Sequence, residues 1–380
     1  MGRKLLLLIL LNVLWFFCKA QQTHYQFSHL DISKGLSNNQ VNAFYKDNRG
    51  FMWLGTMSGL NRYDGYQFRV FRHNVRDSNS ISDDYIVRIV QGPGQTLWIE
   101  TRNGFNIYDP ITEKFDRNIN ARLKQMGLPQ TSVTGIVKDN QGNFLFVMNG
   151  RQLYKYPAAG GGSSTLLYTA PATETAITAF SCDNQQGCWM IHQDGLVNKI
   201  DANTGKVVHR TDVATRLLGP GLASYFVFID ADNDVWMYAA PVNAKGSGVI
   251  WYKPQTGQHV YLEKGNASAR LNTNLIVGIQ QDSKGEIWIC TDHGGVNIYN
   301  KKTNHLQYLL NNIDDDKSLS QNSITGAYKD ETGTIWLGTY KKGVNYYHEN
   351  IIKFPVYRHQ PSNKKSLSFD DVNRFAEDAA

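Results

Sequence analysis

The chain has 380 residues, 41% of them hydrophobic and 12% aromatic, with 33 glycines. Its 39 Lys and Arg against 33 Asp and Glu give a formal charge of +6, without a Lys/Arg block of the kind that marks nucleic-acid binding, so no bound nucleic acid is expected. Past residue 20, no stretch approaches the roughly 18 apolar residues that a membrane-spanning helix needs.

Residues 1–20 read as a signal peptide. Arg3 and Lys4 precede an apolar run from Leu5 to Phe17, and Cys18-Lys19-Ala20 puts small residues where signal peptidase reads them. Lipidation of Cys18 is the alternative, opposed by the bulky Trp15-Phe16-Phe17 before it. Cleavage removes Arg3, Lys4 and Lys19, lowers the formal charge to +3 and places the mature chain in an exported compartment. Residues 21–35 hold one strand-like segment, Tyr25-Gln-Phe27-Ser-His-Leu30, which resembles Tyr66-Gln-Phe68-Arg-Val70 further on. An outer strand without inner partners of its own suggests a ring closed by joining a sheet made by later sequence.

From residue 36 to 366 one pattern recurs seven times. A tryptophan column runs Trp53, Trp98, Leu145 (in place of Trp), Trp189, Trp236, Trp288 and Trp336. Six residues earlier stand Asp47, Gly92, Asp139, Asp183, Asp230, Asp282 and Asp330. Asp and Gly at these offsets make a tight turn. An apolar strand precedes each turn, for example Val41-Asn-Ala-Phe-Tyr45, and two more strands follow the tryptophan, giving four per unit. The tryptophan strands, such as Phe51-Met-Trp-Leu54, are apolar at successive positions, as expected of sheets covered on both faces. Radially stacked blades provide that cover. The predicted fold is all-β: a seven-bladed β-propeller of four-stranded antiparallel blades.

Within this array the candidate chemistry is sparse. Cys182 and Cys188 flank one of the turns and are a candidate disulfide, whereas Cys290 reads as a buried apolar group. Asp230-Ala-Asp232-Asn-Asp234 resembles part of a calcium loop but lacks the Gly and distal Glu that such a loop uses, so it reads as a turn. Neither a metal site nor a cofactor is expected, nor any catalytic residue. The loops between second and third strands share one face with the connections between blades, around the central channel, and loops on a rigid scaffold carry function. They supply Arg102, His192, Asp292, His293, Tyr340, Lys341 and an insert around Lys245 as candidate ligand contacts. Cations pair with carboxylate or sulfate groups and an aromatic ring stacks on a pyranose, so a sugar, neutral or acidic, is the expected ligand.

Residues 367–380 restart the pattern: Leu367-Ser-Phe-Asp-Asp-Val372-Asn-Arg-Phe375 repeats Leu36-Ser-Asn-Asn-Gln-Val41-Asn-Ala-Phe44 in register. They are expected to begin a following propeller. The motifs Leu-Ser-x-x-x-Val, Asp-x-x-Gly-x-Ile/Met-Trp-Leu/Ile-Gly-Thr and Gly-Leu/Val-Asn-x-Tyr together resemble the two-component regulator propeller repeat. That resemblance implies the periplasmic sensor region of a hybrid histidine kinase of the Bacteroides type, which detects glycan breakdown products and switches on loci for polysaccharide use. It also implies a second propeller, a β-sandwich domain, a membrane helix and kinase and DNA-binding domains downstream, with a second copy of the chain as a further partner. An exported propeller lyase or glycosidase, and a protein-interaction propeller, are the alternatives.

Overall fold

The computed structural model describes residues 25–219, 224–241, 246–266, 269–350, 359, 361 and 366–374; the signal peptide expected at residues 1–20, Lys245 and residues 375–380 lie outside the described residues. Seven four-stranded antiparallel sheets form a propeller. In chain order, the first strands of the blades are Val41–Lys46, Ile86–Gln91, Val133–Lys138, Ile177–Cys182, Tyr225–Ile229, Ile276–Gln281 and Ile324–Lys329. Blade seven takes three strands from residues 324–347, and its fourth is the N-terminal segment Ser28–Leu30, paired antiparallel to Val344–Tyr347. Ahead of that strand, Tyr25 and Phe27 pack on Trp288 and Tyr347. This pairing gives blade seven the same four strands as the other blades and covers the edge of Val344–Tyr347.

The second strands are buried along their whole length in blades one, three, four, five, six and seven. Each hydrophobic cluster draws on neighbouring blades: Trp53 packs with Ile86, Ile99 and Tyr108, and Trp236 with Ile276, Ile289 and Tyr299. The turn aspartate has a second task besides the turn. In blade one, Asp47 Oδ1 accepts the backbone N–H groups of Arg49 and Phe51 while its Oδ2 accepts the Trp53 indole N–H at 2.8 Å. The same indole bond recurs from Trp189, Trp236, Trp288 and Trp336 to the aspartate six residues earlier. A buried indole N–H left unpaired would cost about 1–3 kcal/mol, so the Asp–Trp spacing follows from polar satisfaction as much as from the turn.

Blade two shows the exception. Gly92 stands in the aspartate column, a Cβ there would fall 2.1 Å from the Trp98 ring, and the Trp98 N–H has no partner among the described residues. In blade three Leu145 needs no partner, and Asn143 donates to Asp139 instead, at 2.9 Å. Lysines neutralise several of these buried carboxylates. Lys199 reaches Asp183 at 2.7 Å, and Lys46 of blade one reaches Asp330 of blade seven at 2.9 Å across the closing seam. Burial alone would raise both carboxyls, but for Asp183 the Lys199 ammonium and turn N–H groups, and for Asp330 bonds from Thr332, Lys46 and Trp336, outweigh it and hold them below the ordinary range. Cys182 and Cys188 face each other across the first two strands of blade four, with Cα atoms 4.2 Å apart, and are joined by a disulfide. Cys290 is a buried free thiol.

Beyond blade seven, His359 binds the Leu367 carbonyl at 2.8 Å, as His73 binds that of Ile81 in the connection between blades one and two. Leu367, however, is 37% exposed where Ile81 is fully buried.

Candidate binding face at the channel mouth

The face away from the Asp–Trp turns is braced by two further repeated residues. A threonine three positions after the tryptophan closes each of four loops through its hydroxyl: Thr56 to the Gly59 carbonyl, Thr101 to Gly104, Thr291 to Gly295 and Thr339 to Gly343, at 2.8–2.9 Å. An asparagine in the third strand accepts the backbone N–H of the segment that enters its own blade. Asn61 takes that of Ser37, Asn106 that of Ser82, Asn297 that of Asn272 and Asn345 that of Ser320, at 2.8–2.9 Å. All four asparagine side chains are buried, which explains the Leu-Ser and Gly-x-Asn parts of the repeat.

On this braced frame three of the candidate residues converge. Asp292, His293 and Tyr340 line one cavity of about 470 Å³ at the channel mouth, with Asn42, Pro241 and Ser323. The Asp292 carboxylate lies 2.9 Å from His293 Nδ1. Tyr340 is 47% exposed; its backbone N–H donates to the Ser323 carbonyl, and the Lys341 ammonium sits 5.2 Å from its ring centre. Lys341 borders the cavity without lining it. Arg102 stands elsewhere on the face, its guanidinium 3.9 Å from the ring centre of Tyr85.

His192 requires a correction to its expected place in a loop. It ends the second strand of blade four, Gly187–His192, and is fully buried. Counting three from Trp189 puts it in the threonine column, one residue short of the loop, and that count is the signal that identifies it. Its Nδ1 binds the Thr175 carbonyl at 2.9 Å, and Nε2 lies 3.2 Å from Asn198 Nδ2 and 3.5 Å from Glu174 Oε2. Glu174 in turn accepts from Tyr168, Asn198 and Arg210. This is an internal brace of blade four.

The acidic triplet of blade five is also resolved. The three carboxylates of Asp230, Asp232 and Asp234 lie within 4.8 Å of one another, and the cation among them is Lys301 of blade six, at 2.6, 2.6 and 3.3 Å. Burial lowers the Lys301 pKa and the carboxylates more than reverse that, so the ammonium is held above its ordinary range. No helix among the described residues is long and apolar enough to cross a membrane.

Comparison with known proteins matches this architecture. The family described as "Two component regulator propeller" matches residues 35–58, 270–293 and 318–341, each the entry segment and first hairpin of a blade. Over 74 residues the chain is 39% identical to Histidine kinase P4 of Formosa agariphila, a stretch equal to 20% of this chain and 5% of that kinase. The extracellular domain of a hybrid two component system from B. thetaiotaomicron superposes with a TM-score of 0.66 at 23% identity, covering 91% of this chain and 44% of that one. A second extracellular domain from B. thetaiotaomicron does so with a TM-score of 0.60 at 19% identity, covering 87% and 40%. At these identities the superpositions show the fold, and the chain spans less than half the length of either structure. Three of the seven blades thus carry matches to the two component regulator propeller repeat.

Proposed function

We propose that the chain is the N-terminal periplasmic sensor propeller of a hybrid two component system histidine kinase, exported by the signal peptide at residues 1–20. In this reading it detects oligosaccharides released by polysaccharide breakdown and acts on genes for polysaccharide use. The observation that carries the reading is the mouth cavity, where Tyr340, His293 and Asp292 offer a ring, donors and acceptors from three positions on a rigid frame. The repeat supports the sensor context, since it is the one shared with two component regulators. The propeller itself would be a stiff body. Ligand binding would alter how it packs against a second propeller, which residues 367–380 would begin, or against a second copy of the chain. A ligand shifts such packing only by binding the two arrangements unequally. No catalysis is assigned to this segment; the kinase activity would lie in the rest of the protein.

Isothermal calorimetry of the chain against malto-, xylo-, manno- and galacto-oligosaccharides and their uronic-acid counterparts tests this. Saturable binding that Tyr340→Ala weakens about tenfold, the loss of one ring contact, is expected; absence of heat across the panel overturns it. The same cluster gives a second reading some support, because a tyrosine beside a His–Asp pair 2.9 Å apart is an acid–base set. A lyase would turn over the bound glycan and release unsaturated ends that absorb in the ultraviolet, whereas a sensor would leave the glycan intact.

A further inference from the structure

Below the mouth the first strands line the channel, and one position there sets two blades apart. Opposite the residue two after each tryptophan, the first strands carry Ala43, Arg88, Gly135, Ala179, Phe226, Gly278 and Gly326. Five of these are Ala or Gly, and neighbouring blades leave little room for more. A Cβ on Gly135 would fall 2.5 Å from Phe180, and one on Gly326 would fall 3.0 Å from the Asn42 carbonyl. Blade two instead pairs Arg88 with Glu100, and blade five pairs Phe226 with Tyr238. Both substitutions open onto one space: Arg88 and Phe226 each line two adjoining channel cavities, of about 350 and 250 Å³. The larger of these shares Asn42, Val277 and Thr325 with the mouth cavity, so the two adjoin.

The four side chains form a built surface. Phe226 is 41% exposed although it lies inside the ring, and stacks on Tyr238 with centroids 5.1 Å apart and planes 15° from parallel. Tyr238 is 7% exposed and lines the larger channel cavity. Six blades have a bulge in the first strand just before this position and blade five does not, so the Phe226–Tyr238 pair sits in an unbroken ladder. On the other side, Arg88 Nε and one guanidinium nitrogen both reach Glu100 Oε2, at 2.9 and 2.8 Å, and that nitrogen also reaches the Thr134 carbonyl at 3.3 Å. The pair is neutral overall, and of its two members Arg88 lines the channel cavities.

We infer that the channel between Phe226–Tyr238 and Arg88–Glu100 is a subsite for the terminal ring of a neutral saccharide inserted end-on from the mouth. An exposed aromatic face suits the apolar C–H face of a pyranose. A self-neutralised Arg–Glu pair suits hydroxyl groups, which both donate and accept, rather than a carboxylate or sulfate. This rests on the saccharide reading of the mouth and adds a site and a charge class to it.

The test is calorimetry of the full chain with the panel above, at increasing chain length, for the native protein, Phe226→Ala, Phe226→Trp, the double variant Arg88→Ala/Glu100→Ala and Tyr340→Ala. The double variant avoids leaving one charge uncompensated, and circular dichroism checks that each variant is folded. The expected result is a neutral oligosaccharide whose affinity falls about tenfold in Phe226→Ala and in the double variant, the loss of one ring contact, and is kept in Phe226→Trp. A saccharide that Tyr340→Ala weakens while both channel variants bind it like the native chain overturns the subsite and leaves the mouth reading standing. Preference for the uronic-acid members overturns the neutral assignment. Absence of binding by the native chain overturns both.

Discussion

The two ends of the ring are built from the same seven units, yet they differ in how far the units agree. At the turn end, five blades place an aspartate on an indole N–H, and lysines bind carboxylates across seams, as from Lys46 to Asp330 and from Lys301 to Asp230. At the mouth end the frame repeats, through the threonine and asparagine columns, but the loop tips do not: Asp292-His293 in blade six, Tyr340-Lys341 in blade seven and Arg102 in blade two have no common chemistry. Repetition marks what every blade needs in order to stand, and in the proposed reading the departures are where a ligand would be told apart. The comparison therefore predicts that substitutions at the turn end alter stability and those at the mouth alter binding.

The largest expected effect is at the closing seam. Asp330→Ala removes the acceptor for the Trp336 indole and for the Thr332 and Thr334 N–H groups, and strands Lys46. Removing one partner of a buried pair costs about 3–5 kcal/mol, read as a shift in the urea unfolding midpoint. Acid should act on the same groups. Asp183 and Asp330 are held below their ordinary values in the folded chain, so their contribution is complete above the unfolded carboxylate pKa of about 3.9 and is lost as pH falls through the lower folded values. Unfolding curves should thus shift little from neutrality to about pH 5 and steeply below about pH 4, with Asp330→Asn losing less stability over that acid interval than the native chain.

A smaller effect separates two tryptophans. Trp53→Phe leaves Asp47 Oδ2 without its donor, whereas Trp98→Phe removes an N–H that has no partner among the described residues, so the first should cost about 1–3 kcal/mol more than the second. Equal losses would mean that the indole bond contributes nothing. The smallest effect belongs to the mouth: Tyr340→Ala and Lys341→Ala should move stability by no more than about 0.5 kcal/mol, because both side chains are exposed.

The fold was legible because a repeat of four strands leaves few ways to bury a tryptophan column on both faces. The seven blades follow from the recurrence of Trp53, Trp98 and their counterparts. The site was legible only in part. Asp292, His293 and Tyr340 were found as loop residues and share a cavity, while His192 required counting from Trp189 to see that it falls in the buried threonine column. Arg88 and Phe226, the residues of the proposed subsite, carry no signal in the sequence because each looks like an ordinary strand residue. Only alignment of all seven pairing registers shows that five blades keep Ala or Gly there. The indole bonds of Asp47 and its equivalents were hidden for a related reason: the turn alone accounts for an aspartate at that offset, so nothing in the spacing demanded a second partner.

Hydrogen–deuterium exchange of the chain, with and without the tightest-binding oligosaccharide of the panel, addresses the division between the two ends most directly. Slowed exchange confined to the loops at 292–294 and 340–342 and to the channel strands at 86–89 and 225–228, with the turns at 47–50 and 330–333 unchanged, is the predicted result. Protection that fell on the turns and spared the mouth would contradict the account.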